Sequence, residues 1–244
     1  MMKHALAFAV TLGLVAGACA AVGRVGAQSG GILGSPGDGL GVLGAPPGGS
    51  GGGGGSTAVE VNFTGYPINL DDHPDWVVQA GAMTVTNGET SGNLGGTVSL
   101  ARYVGRPFSP NHAVEVTFGT SVGGTGGAHG CAVRLQPGVT SGYYLFVEAG
   151  AGVSCYFGVA NAGAHTYPFS STATGTNGTR LRLEVTGTGT ATRLTAKMDV
   201  GAGWITISGM GNMDPGIYFD DGHPGITGYS NERFLWITHF HAEP

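Results

Sequence analysis

This sequence has little charge. Asp, Glu, Lys and Arg make up 10% of its 244 residues, against about 25% in an average soluble protein. The ten basic residues are scattered, and the densest group, Arg180 and Arg182, alternates along one segment with Glu184. With a formal net charge of −5, this excludes a surface that grips nucleic acid, which needs clustered Lys and Arg. An electrostatic patch for an anionic membrane is excluded on the same ground. No stretch keeps a 3.6-residue apolar period for three turns, so helices are not expected to build the core. Gly-x-Ser-x-Gly, His-Glu-x-x-His and P-loop patterns are all missing. The run Gly123-Gly124-Thr125-Gly126-Gly127 lacks the lysine and helix that phosphate binding needs, and reads as a loop.

What is abundant is glycine, at 49 residues against a usual share of about 7%. Serine and threonine take the surface role that lysine and glutamate have elsewhere. Many short strands joined by tight turns are expected. The chain divides into three parts: an apolar segment over 1–27, a Gly/Pro-rich linker over 28–57, and one folded domain over 58–244. A domain of roughly 190 residues is large enough to bury about 70% of its unfolded surface.

The first segment reads as a secretion signal. Lys3 precedes an uncharged, mostly apolar run from Ala5 to Ala18. That run is shorter than the roughly 20 residues a spanning helix needs, and suits a signal-peptide core. Small residues in A-x-A-like order place cleavage after Ala20 or Ala27, which leaves no membrane span in the mature protein and a secreted or cell-surface location. A second reading is lipidation at Cys19, because Ala16-Gly17-Ala18-Cys19 resembles a bacterial lipoprotein box, although the box has Leu where this sequence has Ala16. A third keeps the segment as an anchor or packing helix. The linker that follows cannot bury enough surface to fold. It holds a near-repeat, Gly31-Ile32-Leu33-Gly34-Ser35-Pro36 and Gly41-Val42-Leu43-Gly44-Ala45-Pro46, and reads as a spacer or as two turns that dock on a partner. Glycine is not at every third position, so collagen is excluded.

From Ala58 onward, apolar residues alternate with polar ones. Val59, Val61 and Phe63 form one such series; Val114, Val116 and Phe118 another; then Cys131, Val133 and Leu135, with Arg134 on the wet face. Leu181, Leu183 and Val185 follow, then Leu194, Ala196 and Met198, then Ile205 and Ile207. Period-two alternation is the mark of half-buried antiparallel strands. Two stretches break it, Gly142–Val147 and Phe234–Ile237, which are apolar on both faces. Either a terminal segment folds over the sheet there, or these strands form a subunit contact (a homo-oligomer) or a ligand platform.

Cys131 and Cys155 invite a disulfide in an oxidising compartment. If residues 131–135, 143–147 and 154–159 form a meander, a whole strand separates the two. Their Cα atoms then lie about 9.6 Å apart, beyond the roughly 7 Å that a bridge tolerates. Two free core thiols are expected.

The order of segments resembles the concanavalin-A-like, laminin-G-like jelly roll of secreted bacterial and phage-associated proteins. The residues that carry it are Val61-Asn62-Phe63-Thr64-Gly65, Asp75-Trp76-Val77-Val78, Ala101-Arg102-Tyr103, Gly142-Tyr143-Tyr144-Leu145-Phe146-Val147, Thr179–Val185 and Gly222–Tyr229. A final strand, Phe234 to His241, would return beside the first. The resemblance implies an all-β, antiparallel two-sheet β-sandwich. It also implies a function drawn from carbohydrate-binding modules, adhesion domains, surface appendages and a minority of glycan-cleaving enzymes.

The glucanase relatives carry an E-x-D-x-x-E strand that is missing here, so the expectation leans away from an enzyme. The pairs Asp71-Asp72 and Asp220-Asp221 lie in turn-like contexts beside Pro and His. Neighbours on a strand face opposite ways, so neither pair makes the two-carboxylate arrangement of a glycosidase. Turn and cap roles are the plain reading; calcium at Asp220 and Asp221 is the functional one, since hard oxygen ligands suit it. His239 and His241 share a face without an evident third ligand. The function expected is an exported, non-catalytic module for carbohydrate binding or surface adhesion, its partner a glycan or cell-surface polymer. Tyr156, Trp204 and Tyr229 are the candidate ligand contacts, because each is near a strand end or loop. The alternatives are a structural subunit of a virion, filament or cell surface, and a polysaccharide-acting enzyme using Asp220 or Asp221.

Overall fold

A computed structural model describes residues 58–92, 98–119, 127–148, 154–173, 175–229 and 236–244. The expected secretion signal, its alternative reading as lipidation at Cys19, and the expected linker lie outside the described residues. Among the described residues no helix is long and apolar enough to cross a membrane.

The described residues form fifteen strands in order: β1 (Val59–Asn62), β2 (Trp76–Ala80), β3 (Met83–Thr86), β4 (Glu89–Gly92), β5 (Val98–Tyr103), β6 (His112–Phe118), β7 (Ala128–Leu135), β8 (Gly142–Glu148), β9 (Ser154–Asn161), β10 (Ala164–Thr172), β11 (Arg180–Thr186), β12 (Arg193–Asp199), β13 (Ile205–Thr206), β14 (His223–Tyr229) and β15 (Ile237–Glu243). They build two antiparallel sheets. One runs β13-β12-β11-β6-β15-β4-β3, with β1 also paired to β15; the other runs β10-β9-β8-β7-β14-β5-β2. The expected sandwich of jelly-roll type is present, and the last strand does return beside the first, Val61 opposite Phe240.

The alternation read from the sequence sets which side chains meet between the sheets. Val114, Val116 and Phe118 of β6, with Leu181 and Leu183 on the adjacent β11, pack with Cys131, Val133 and Leu145 of the other sheet in one continuous core. Trp76 anchors one end, edge-on to Phe240 at 5.0 Å and to Tyr103 at 5.4 Å. Tyr143 is buried with its hydroxyl satisfied: it donates to Ile217 O at 2.8 Å and accepts the Phe219 N–H at 2.8 Å. Strands β7, β8 and β9 form the expected meander, Cys131 opposite Leu145 and Leu145 opposite Phe157. Both cysteines are buried and free.

Two expectations need correction. Arg134 is not on a wet face but fully buried. Its φ of +52° and the register shift opposite β14 break the alternation, and Leu135 is thereby carried to the outer face of its sheet. The buried guanidinium donates to Pro110 O at 3.0 Å, to Thr192 Oγ1 at 3.1 Å, and to the carbonyls of Phe219 and Gly187. This satisfies a group that could not otherwise be buried. Ile205 and Ile207 do not share a face: β13 is two residues long, so Ile207 turns inward while Ile205 is exposed. Among the described residues, the outer face of the doubly apolar β8 is packed by rings from its neighbours in the same sheet. Phe234 and Leu235 lie outside the described residues.

Candidate functional site

The outer face of the seven-stranded sheet carries a second apolar layer. Its registers place Tyr229 opposite Ala128 and Ala128 opposite Glu148. One step along, Gly130 is opposite Phe146, and Phe146 opposite Tyr156. Small residues thus floor the middle of the face, and large rings stand on either side.

Tyr144 and Phe146 alternate with core residues on β8, and the rings that pack on them come from β9 and β10. Phe146 and Tyr156 have centroids 5.4 Å apart. Tyr167 meets Tyr144, Phe146 and Tyr156 edge-on at 6.2, 5.9 and 6.2 Å. Tyr167 reaches this position because the pairing of β10 with β9 shifts register between Thr166 and Phe169, around Pro168, whose missing N–H suits an edge strand or bulge. Tyr144 Oη is 2.9 Å from Nδ1 of His165. Burial lowers the pKa of His165 and raises that of Tyr144, so both are neutral at pH 7 and the phenol can donate to the ring nitrogen.

The result is a depression of about 240 Å³ lined by Phe146, Glu148, Tyr156, Tyr167 and Tyr229. A neighbouring hollow of about 530 Å³ shares Tyr167 and Tyr229 and continues past Val98, His165 and Thr140. Together they reach the size of a small-ligand site, mostly apolar with a few polar groups. The segment 136–141 forms one rim. Gln79 Nε2 donates to Val139 O at 3.1 Å and to Gln136 O, and Gly163 N–H donates to Thr140 O at 2.9 Å. Glu148 is the one carboxylate among the described lining residues.

Tyr156 and Tyr229, both singled out in the sequence, line this one depression. Trp204 does not. It lies on the other sheet, with the Arg180 guanidinium 4.7 Å from its ring centre, and Arg180 in turn pairs with Asp199 at 2.6 Å and Glu115 at 3.1 Å. Asp220 Oδ1 accepts the Gly189 N–H at 2.6 Å, and the main-chain oxygen of Asp221 accepts from Gln136. These are turn contacts. Among the described residues no three His, Cys, Asp or Glu are grouped to hold a metal, so Asp220 and Asp221 do not by themselves supply the six to eight oxygens calcium takes. His241 pairs with Glu60 and Glu243, and His239 Nε2 is 3.2 Å from Asn62 Nδ2. Sequence reasoning missed Tyr167, Phe146, Glu148 and His165. Phe146 had a signal, the doubly apolar run of β8; the others had none.

No family model and no curated protein matches this chain. Among solved structures it is similar to the carbohydrate-binding module CBM66 from Bacillus subtilis, at 16% identity and a TM-score of 0.49, covering 70% of this chain and 96% of that one. The Ca2+/Man2-bound exoplasmic/lumenal domain of VIP36 matches at 14% identity and 0.47, over 76% and 86%. The GH43 BlXynB protein from Bacillus licheniformis matches at 13% and 0.46, over 75% of this chain but only 39% of that one. Likeness at this level is one of fold and does not speak to function.

Proposed function

We propose that this chain is an exported, non-catalytic module that binds carbohydrate on the outer face of its seven-stranded sheet. The observation that carries the reading is the ring cluster itself: Tyr156, Tyr167 and Tyr229 converge on one open depression, with Tyr167 46% exposed. A sugar ring has apolar faces and a polar edge. Tyrosine matches it, offering flat apolar surface and a hydroxyl at the rim. Glu148 and His165 add hydrogen-bonding groups at the margins. A glycosidase needs two carboxylates across the scissile bond, and this depression offers Glu148 alone among its described lining residues, which favours binding over cleavage.

The structural-subunit alternative drew on the doubly apolar β8. That support weakens here, because the outward Tyr144 and Phe146 already pack against Tyr156, Tyr167 and His165. Electrophoresis of the full chain through gels cast with a panel of polysaccharides tests the proposal. Retardation by at least one polymer, abolished in Tyr167→Ala, is the expected result. Uniform mobility through every gel would reject it.

A further inference from the structure

A third hollow, of about 280 Å³, lies on the same outer face, lined by Val77, Val78, Gln79, Arg102, Gly138, Val139 and Thr140. Thr140 belongs to it and to the hollow beside the tyrosines. Strand β5 links them too. Ala101 and Tyr103 face the core, so Val98, Leu100 and Arg102 alternate onto the outer face, Val98 in one hollow and Arg102 in the other. Four residues of strand separate them, about 13 Å.

Arg102 is unlike the other described arginines. Arg180 and Arg182 pair with carboxylates, Arg193 approaches Asp214, Arg134 is satisfied by carbonyls, and Arg106 stacks on Phe108. Among the described residues the Arg102 side chain has neither a hydrogen-bond nor an ion-pair partner, and its Nε is closed to solvent with no acceptor. Burial lowers its pKa. The register puts Gly225 beside it. A Cβ at that glycine would come within 2.2 Å of Ala101 O and 2.6 Å of Leu135 Cδ1, so what borders Arg102 on that side is apolar and offers its guanidinium no acceptor side chain. A half-buried cation left without a partner costs free energy. A guanidinium recovers that cost best by donating across its fork to a planar or tetrahedral oxyanion.

We infer that the Arg102 hollow is a subsite for an oxyanion, the carboxylate or sulfate of an acidic sugar, in a chain that runs along β5 from the tyrosines. The inference rests on the glycan reading for the chain and on Arg102 alone for the charge. Glu148 does not oppose it. That residue lies about 13 Å further along the strands and three strands, about 14 Å, across, beyond the roughly 8 Å over which charges act at physiological salt.

The test is NMR of the arginine Nε–H signals in the full chain, with Arg102 assigned by its loss in Arg102→Lys. Galacturonate, galactose 6-sulfate and galactose serve as probes. The Arg102 signal is expected to shift saturably with one or both acidic sugars and not with galactose, and the two acidic arms tell carboxylate from sulfate. No shift with either acidic sugar would overturn the inference. In parallel, binding of polygalacturonate and of its methyl-esterified form is compared. If carboxylate is the group read, Arg102→Lys weakens the acid form about ten-fold and leaves the ester unchanged. A carboxylate-responsive Arg102 whose variant binds the acid chain as tightly as wild type would also overturn it. A responsive Arg102 in a protein whose tyrosine variants bind every chain normally would sink the ring-cluster reading while leaving this subsite standing.

Discussion

Tyr144 lies across Gly158. A Cβ built on that glycine would sit 2.3 Å from two carbons of the phenol ring, so the ring occupies space that only glycine leaves open. The consequence reaches the candidate site, because Tyr144 is one of the rings against which Tyr167 stands. Gly158→Ala should push Tyr144 outward and destabilise the fold by about 1–3 kcal/mol, the usual cost of overpacking. Urea melts measure the loss, and glycan binding should fall in the same variant under conditions where it remains folded. Unchanged stability and binding would show that the ring has room to move.

His112 sets the acid limit of stability. It is almost fully buried, its Nδ1 2.8 Å from Ser109 O and its Nε2 accepting the Arg134 N–H at 3.3 Å. That pattern requires a neutral ring with the proton on Nδ1. Burial lowers its pKa to about 4. The unfolded chain, near 6.5, therefore binds the proton first as pH falls. This contribution is complete above about pH 6.5 and is lost progressively down to about pH 4, amounting to about 3 kcal/mol. Urea melts at pH 7, 5.5 and 4.5 should show the decline, and His112→Gln should flatten it. An equally steep decline in the variant would assign the acid sensitivity elsewhere.

Cys131 and Cys155 are expected to remain reduced. β8 lies between their strands, and burial raises both thiols, Cys155 to about 12, so neither offers a thiolate at neutral pH. Mass spectrometry after iodoacetamide should show both unmodified in the native protein and alkylated in denaturant without reductant. A mass two daltons low in the unreduced protein would mean a bridge and a different arrangement of β7 to β9.

Much of the sandwich was legible because its strands are half-buried, and half-burial writes period two into the sequence. β11 is a case: Leu181, Leu183 and Val185 face the core while Arg180, Arg182 and Glu184 pair on the outer face. The reading failed at Arg134, where one left-handed residue reverses parity, and no composition rule announces that. The doubly apolar β8 signalled a covered outer face, but not what covers it, since those rings arrive from β9 and β10 through pairings that the linear chain does not display. Tyr156 and Trp204 looked equivalent as aromatics near strand ends. Only the fold shows that an arginine lies over one and a shared depression opens beside the other. Nor could the sequence reveal that the Arg102 side chain has no partner among the described residues, a property of its neighbours and not of the residue.

The account stands most directly on the difference between two aromatic substitutions. Calorimetric titration with a polysaccharide that retards the wild-type chain should give at least about ten-fold weaker binding for Tyr167→Ala, the loss expected of a central aromatic contact. Trp204→Ala, on the opposite sheet, should bind as wild type does. Equal affinity in Tyr167→Ala, or a loss confined to Trp204→Ala, would contradict the assignment of the ligand face.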